Sequence, residues 1–226
     1  MFVALLCGVM TLSAQKPFAG RIQYETTVEG TDDPNVVSSF AGITTEYLVM
    51  GNNMKKVISV QGFGQIEITN GDYNVIYNVL DISAFNMGKY FTEVKGDELQ
   101  KELAKNKMDY EYTQETREIA GYSCKKVIAT VTDQESDEES KVVFWVTNDL
   151  NVGDNINFAT APGLKGFPLR TETDIEMGDE TITMIQTASL VKADKKVKAA
   201  DFYRPSDATP MDEMPDEVKA QLGLGD

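Results

Sequence analysis

No histidine occurs anywhere in the 226 residues, and this absence removes whole classes of chemistry. The Ser-His-Asp and Cys-His arrangements need an imidazole that changes protonation near neutral pH. The HExxH and Cys2His2 zinc sites fall for the same reason. Cysteine is nearly absent as well, with only Cys7 and Cys124. A chain that loses its first residues on export keeps one of them, so no internal disulfide is expected and the core must supply stability. Basic residues are scarce, 21 against 36 acidic, for a formal charge of -15. Such a surface repels phosphate backbones, so no nucleic-acid partner is expected. No apolar run approaches the roughly 20 residues that a membrane span needs, so an integral membrane protein is not expected either.

What the sequence does contain begins at its first residues. Phe2 to Met10 is uncharged and mostly apolar, and Thr11-Leu12-Ser13-Ala14 follows. This has the form of the h-region and cleavage end of a secretory signal peptide. Residues 1–14 are therefore expected to direct export, to the periplasm or the medium. Leu6 precedes Cys7 where a lipobox has a small residue, so acylation of Cys7 is not expected.

From residue 20 to about 191, short segments rich in Val, Ile, Thr and Tyr alternate with turn signals such as Asn70-Gly71 and Gly51-Asn52-Asn53. Strands are predicted over 20–29, 44–50, 54–61, 64–69, 73–80, 88–94, 109–116, 124–132, 140–147, 169–177 and 181–191. In 169–177, Leu169, Ile175 and Met177 oppose Arg170, Glu172, Asp174 and Glu176. In 181–191, Ile182, Met184, Ala188 and Leu190 oppose Thr181, Thr183, Thr187 and Ser189. That is a hairpin with one wet and one dry face. Residues 75–80 and 142–146 are apolar on both faces and need cover on each side.

A helix is predicted over 97–107, capped by Asp97 and carrying Leu99 and Leu103 on one stripe. A second, over 215–222, follows an acidic, proline-bearing stretch from Ser206 to Pro215 that reads as a linker. The fold class is mainly β (α+β), with one domain over 15–205 and a loosely attached acidic tail over 206–226.

Candidate chemistry is sparse. Cys124 lies beside Lys125 and Lys126, which favour a thiolate, but it also heads a strand, where a small buried side chain is the plainer reading. The acidic run Asp133 to Glu139 has calcium-type ligands without a turning glycine, and reads as a solvated hairpin loop. Trp145 and Phe144 point to opposite sides of one strand, so at most one faces any cavity. Leu164 and Phe167 sit in a loop rich in glycine and proline, at a cavity mouth or tucked into an ordinary core.

Five phrases occur in order: Gly20-Arg21-Ile22-Gln23-Tyr24-Glu25, Ile119 to Lys126, Phe144-Trp145-Val146-Thr147, Gly166-Phe167-Pro168-Leu169 and Asp201-Phe202-Tyr203-Arg204-Pro205. Together they resemble an uncharacterised family of secreted proteins similar to the lipoprotein-carrier (LolA/LolB-like) fold, over residues 20 to 205. The resemblance implies a strongly curved antiparallel sheet, an incomplete barrel, with short helices over a concave side that holds acyl chains. It brings no catalytic residue, cofactor or metal. The expectation is an exported binding protein, not an enzyme, holding a lipid or other hydrophobic small molecule against Tyr77, Phe91, Trp145, Leu164, Phe167, Ile182 and Met184. The competing reading is an envelope interaction module that binds a protein partner and fills its core with its own side chains. A carboxylate-based hydrolase stands last, because each acidic cluster falls in a loop or on a wet face.

Overall fold

In a computed structural model that describes residues 16–40, 43–60, 62–178 and 180–224, every segment expected as a strand forms one. The expected signal peptide and Cys7 lie outside the described residues. The order is β1 (Ala19–Glu29), α1 (Pro34–Phe40), β2 (Thr44–Met50), β3 (Asn53–Val60), β4 (Phe63–Asn70), β5 (Val75–Asp81) and β6 (Lys89–Lys95). Then come α2 (Gly96–Ala104), β7 (Asn106–Ile119), β8 (Tyr122–Asp133), β9 (Glu139–Thr147), β10 (Phe167–Met177), β11 (Glu180–Ala193), β12 (Thr209–Pro210) and α3 (Asp216–Leu222). The protein is mainly β.

All twelve strands belong to one sheet, ordered β12-β6-β5-β4-β3-β2-β1-β11-β10-β9-β8-β7. It consists of two meanders, β1 to β6 and β7 to β11, joined where β1 pairs antiparallel with β11. Among the described residues the edges, β7 and β12, do not pair, so the sheet is not closed. It is nonetheless bent. Met54 of β3 and Met108 of β7 border one cavity, yet seven strand steps separate them. On a flat sheet that distance would be about 34 Å, at about 4.8 Å per strand. The face that carries both side chains is therefore concave, and α2, which touches β5, β6 and β7, spans the gap between the two meanders.

Several expectations need correction. The helix predicted over 97–107 stops at Ala104, because residues 106 and 107 already belong to β7. Asp97 does not cap it: the N-cap is Lys95, without a side-chain bond, and Asp97 lies in the first turn, where its charge suits the helix dipole. No helix was expected over residues 34–40, where α1 forms. Pro34 fixes the dihedral of its first residue, and Asp33 Oδ1 accepts the Asn35 N–H at 2.8 Å.

The dry file of β11 runs through Ile182, Met184 and Ala188 and then inverts, while Ile185 on the face expected to be wet is buried too. The β1–β11 register shifts between Gln23 and Tyr24, leaving Ser189 as the extra residue. A bulge of this kind turns the following side chains over. Leu190 is thereby exposed, and Val191 packs on the core in its place.

The tail is not loosely attached. After β11 the chain crosses the convex face, where Val197 and Phe202 cover Leu48 and Ile68. This irregular segment supplies the second cover that the two-faced β5 requires. The chain then rounds the sheet edge as β12, which pairs parallel with β6 through Thr209 and Pro210. Beyond it, Met214, Val218 and Leu222 pack on Ile82 and Tyr90. The Ser206–Pro215 linker is in fact a strap, held by an edge strand and an apolar contact.

Candidate functional site

Strand register decides which side chains share the concave face. One file runs across five strands as direct partners: Tyr47 of β2, Lys56 of β3, Glu67 of β4, Asn78 of β5 and Thr92 of β6. The files on either side are more apolar, with Val49, Met54 and Ile76 on one flank and Ile58, Leu80 and Tyr90 on the other. The concave surface is thus apolar ground crossed by one polar row. Exposure rises along that row: Tyr47, Lys56 and Glu67 are half-buried, Asn78 and Thr92 exposed.

Two cavities lie on this face. The first, about 250 Å³, sits between the meanders, with Tyr24, Tyr47 and Met54 on one wall and Phe144, Thr171 and Gln186 on the other. Its lid is the loop between β9 and β10, through Asn157, Thr160 and Ala161. The second, about 350 Å³, runs outward over Ile58, Glu67, Asn78 and Leu80 to Met211 of the strap. Lys56 borders both.

The lid is tied down by close backbone approach. Gly71 N–H donates to the Asn52 carbonyl, and Gly153 N–H donates to the Gly51 carbonyl at 2.8 Å. Asn52 Oδ1 accepts the Asn155 N–H at 3.0 Å, and Asn155 Nδ2 donates to the Gly71 carbonyl at 3.0 Å. A Cβ on Gly153 would overlap the Asn52 carboxamide, so glycine is required there by contact. Within the lid, Asn157 Nδ2 donates to the carbonyls of Leu164 and Gly166.

Burial sets the electrostatics. Desolvation raises the Tyr24 hydroxyl pKa well above its usual value, with Tyr47 and Cys124 adding to the effect. Tyr47 is raised by burial and then by the nearby Glu67 carboxylate. Burial, with Asp149 adding, pushes the Cys124 thiol up to about 11. A fully buried thiol held protonated is a packing group, so Lys125 and Lys126 do not activate it. In the acidic hairpin, Asp133 Oδ1 accepts the N–H groups of Glu135 and Ser136. That carboxylate is thus occupied in shaping its own turn.

The residues expected to line a cavity do not come together. Phe167 alone of the seven borders the cavity between the meanders. Phe144 is there too, and Trp145 accordingly points away: its indole donates to Glu172 at 3.1 Å and its ring lies under Arg117 at 4.6 Å. Tyr77 and Phe91 are edge-to-face partners in adjacent files of the opposite face, and Arg204 sits over Phe91. Leu164 is buried against Val127 and Phe144 as part of the lid. Ile182 is buried opposite Ile175, and half-buried Met184 pairs with Thr173 and Val28. The residues that reading missed are Tyr24, Tyr47, Met54, Lys56 and Phe144. One signal for them was present: in Met54-Lys55-Lys56-Val57-Ile58, a lysine shares a strand face with Met54 and Ile58.

No helix among the described residues is long and apolar enough to cross a membrane. No family model and no curated protein matches the chain, so neither returns the lipoprotein-carrier family that the ordered phrases resemble. Among solved structures, the chain is similar to a DUF1329 family protein from Desulfovibrio piger ATCC 29098. That likeness covers 83% of this chain and 90% of the other, at 9% identity and a TM-score of 0.34.

Proposed function

We propose that this chain is an exported binding protein, without catalysis, that holds a hydrophobic ligand such as a lipid or acyl chain in the concave face of its half-barrel. The observation that carries the reading is the pair of cavities meeting at Lys56. Their volumes, about 250 and 350 Å³, lie near the lower end of the roughly 300–1,000 Å³ of small-molecule sites. Each buried methylene would contribute about 0.8 kcal/mol, so a chain lying past Met54 and Phe144 would be held without any covalent step. The apolar run of residues 2–10, read as a signal peptide, supports a periplasmic or secreted address.

Native mass spectrometry of protein purified without detergent from a bacterial envelope tests the reading. An adduct mass that organic solvent removes, and that extracts as lipid, is the expected result. A clean apo mass that stays unchanged when fatty acids and phospholipids are added would overturn it and favour a protein-binding envelope module.

A further inference from the structure

Of the half-buried lysines on the sheet, Lys55 and Lys56 stand without an ion pair among the described residues, and of these two Lys56 is the one on the concave face. Lys89 reaches Asp207 at 2.7 Å and Asp81 at 3.5 Å, and Lys126 reaches Glu115 at 3.1 Å. Lys56 makes no ion pair and no hydrogen bond with any described residue, in a chain carrying 36 acidic side chains. Its direct cross-strand neighbour is Glu67, yet their charged atoms do not come within pairing distance. Glu67 Oε1 instead accepts from the Thr69 hydroxyl at 3.4 Å, and its carboxylate is close enough to Tyr47 to raise that hydroxyl's pKa. Among the described residues Lys56 is also the sole basic side chain bordering either cavity, and it stands where the two meet.

We infer that the ligand is a single-chain amphiphile ending in one carboxylate, with the Lys56 ammonium as counter-ion to its head and the chain lying toward Met54 and Phe144. This rests on the proposed ligand-holding groove and adds the chemistry of the head. An anion drawn from water into a half-buried groove requires a partner charge. The flexible stem of a lysine carries a compact point charge that can follow a carboxylate. The polar file toward Asn78 and Thr92 leaves the head side wet, while the lidded side between the meanders takes the chain. Glu67 sets a limit on binding, since its charge opposes a second negative group beside the first.

The test is calorimetric titration of the full, delipidated chain with decanoate and with decanol at pH 8 and low salt. Wild-type protein should bind decanoate about tenfold tighter than decanol, the gain of one charge-assisted contact, and added salt should erode that preference. Lys56→Met, which keeps the stem, should bring decanoate down to the level of decanol. Lys56→Arg should retain the preference, and Glu67→Gln should enlarge it. Equal wild-type binding of acid and alcohol, or a preference that survives Lys56→Met, overturns the inference and leaves the groove reading standing. Failure of wild-type protein to bind either compound overturns both. If Lys56→Met does not fold, the wild-type acid-to-alcohol ratio and its salt dependence decide the question.

Discussion

The Tyr24 hydroxyl donates to the Pro168 carbonyl at 2.6 Å, linking β1 to β10 across the intervening β11. The acceptor lies where the β9–β10 register shifts between Pro168 and Arg170. A bulge disrupts the ladder locally, and here a tyrosine from two strands away bonds a carbonyl beside it. Tyr24→Phe keeps the ring and its 4.9 Å edge contact with Tyr47 but removes the bond to that carbonyl. Urea unfolding should show a loss of about 1–3 kcal/mol. A change below about 0.5 kcal/mol, the range of an ordinary surface substitution, would mean that the bond is not made in solution.

The same burial sets a limit at high pH. Tyr24 and Tyr47 both have folded-state pKa values above the unfolded value. The folded protein therefore holds these protons more tightly than the unfolded chain. Their contribution is fully present below about pH 10 and is lost as pH rises from there toward the folded values. Urea midpoints at pH 8, 10 and 11 should fall steeply only in the last interval. Tyr47→Phe should flatten that fall, and an unchanged slope would refute the assignment.

The lid can be released without touching the groove walls of the two meanders. Asn52→Ala removes the acceptor for the Asn155 N–H, and Gly153→Ala forces a methyl into the space of Asn52. Each should cost about 1–3 kcal/mol and should speed tryptic cleavage after exposed Lys165, read by mass spectrometry of timed digests. Cleavage at the wild-type rate in both variants would show that the latch does not hold the lid.

Trp145 should be a silent witness to binding. It is the single tryptophan, nearly fully buried, next to Phe144 on β9 and so on the other face of the strand, and it borders neither cavity. Its emission should resist acrylamide quenching and stay unchanged when the groove is filled. Arg117→Ala, which uncovers the ring, should make quenching faster. A spectral shift on adding fatty acid to wild-type protein would place the ligand elsewhere.

Alternation made the strands legible, because a half-buried sheet imposes period two on each segment alone. The hairpin of β10 and β11 and the opposed directions of Phe144 and Trp145 follow from that local rule. The groove was not legible in the same way. Tyr47, Lys56 and Glu67 lie side by side only through register, and Tyr24 meets Phe144 only because the sheet bends. Each relationship joins segments that are distant in sequence. The attachment of residues 206–222 was misread for a related reason: Ser, Asp and Pro between Ser206 and Pro215 describe a chain that avoids regular structure. Their composition says nothing of the apolar ground on which Met211 and Met214 settle.

The position of β1 has a consequence for how the molecule is made. It is the first of the described strands, yet it sits in the middle of the sheet, with Gly20 paired to Ala193. Hairpins within each meander close short loops and form fast, whereas the joint between β1 and β11 must close nearly the whole chain. Folding should therefore be slow at that last step. The groove's two walls come from different meanders, Met54 from one and Phe144 from the other. A half-synthesised chain has only one of them, so the capacity to hold a ligand arrives all at once, when the eleventh strand docks on the first.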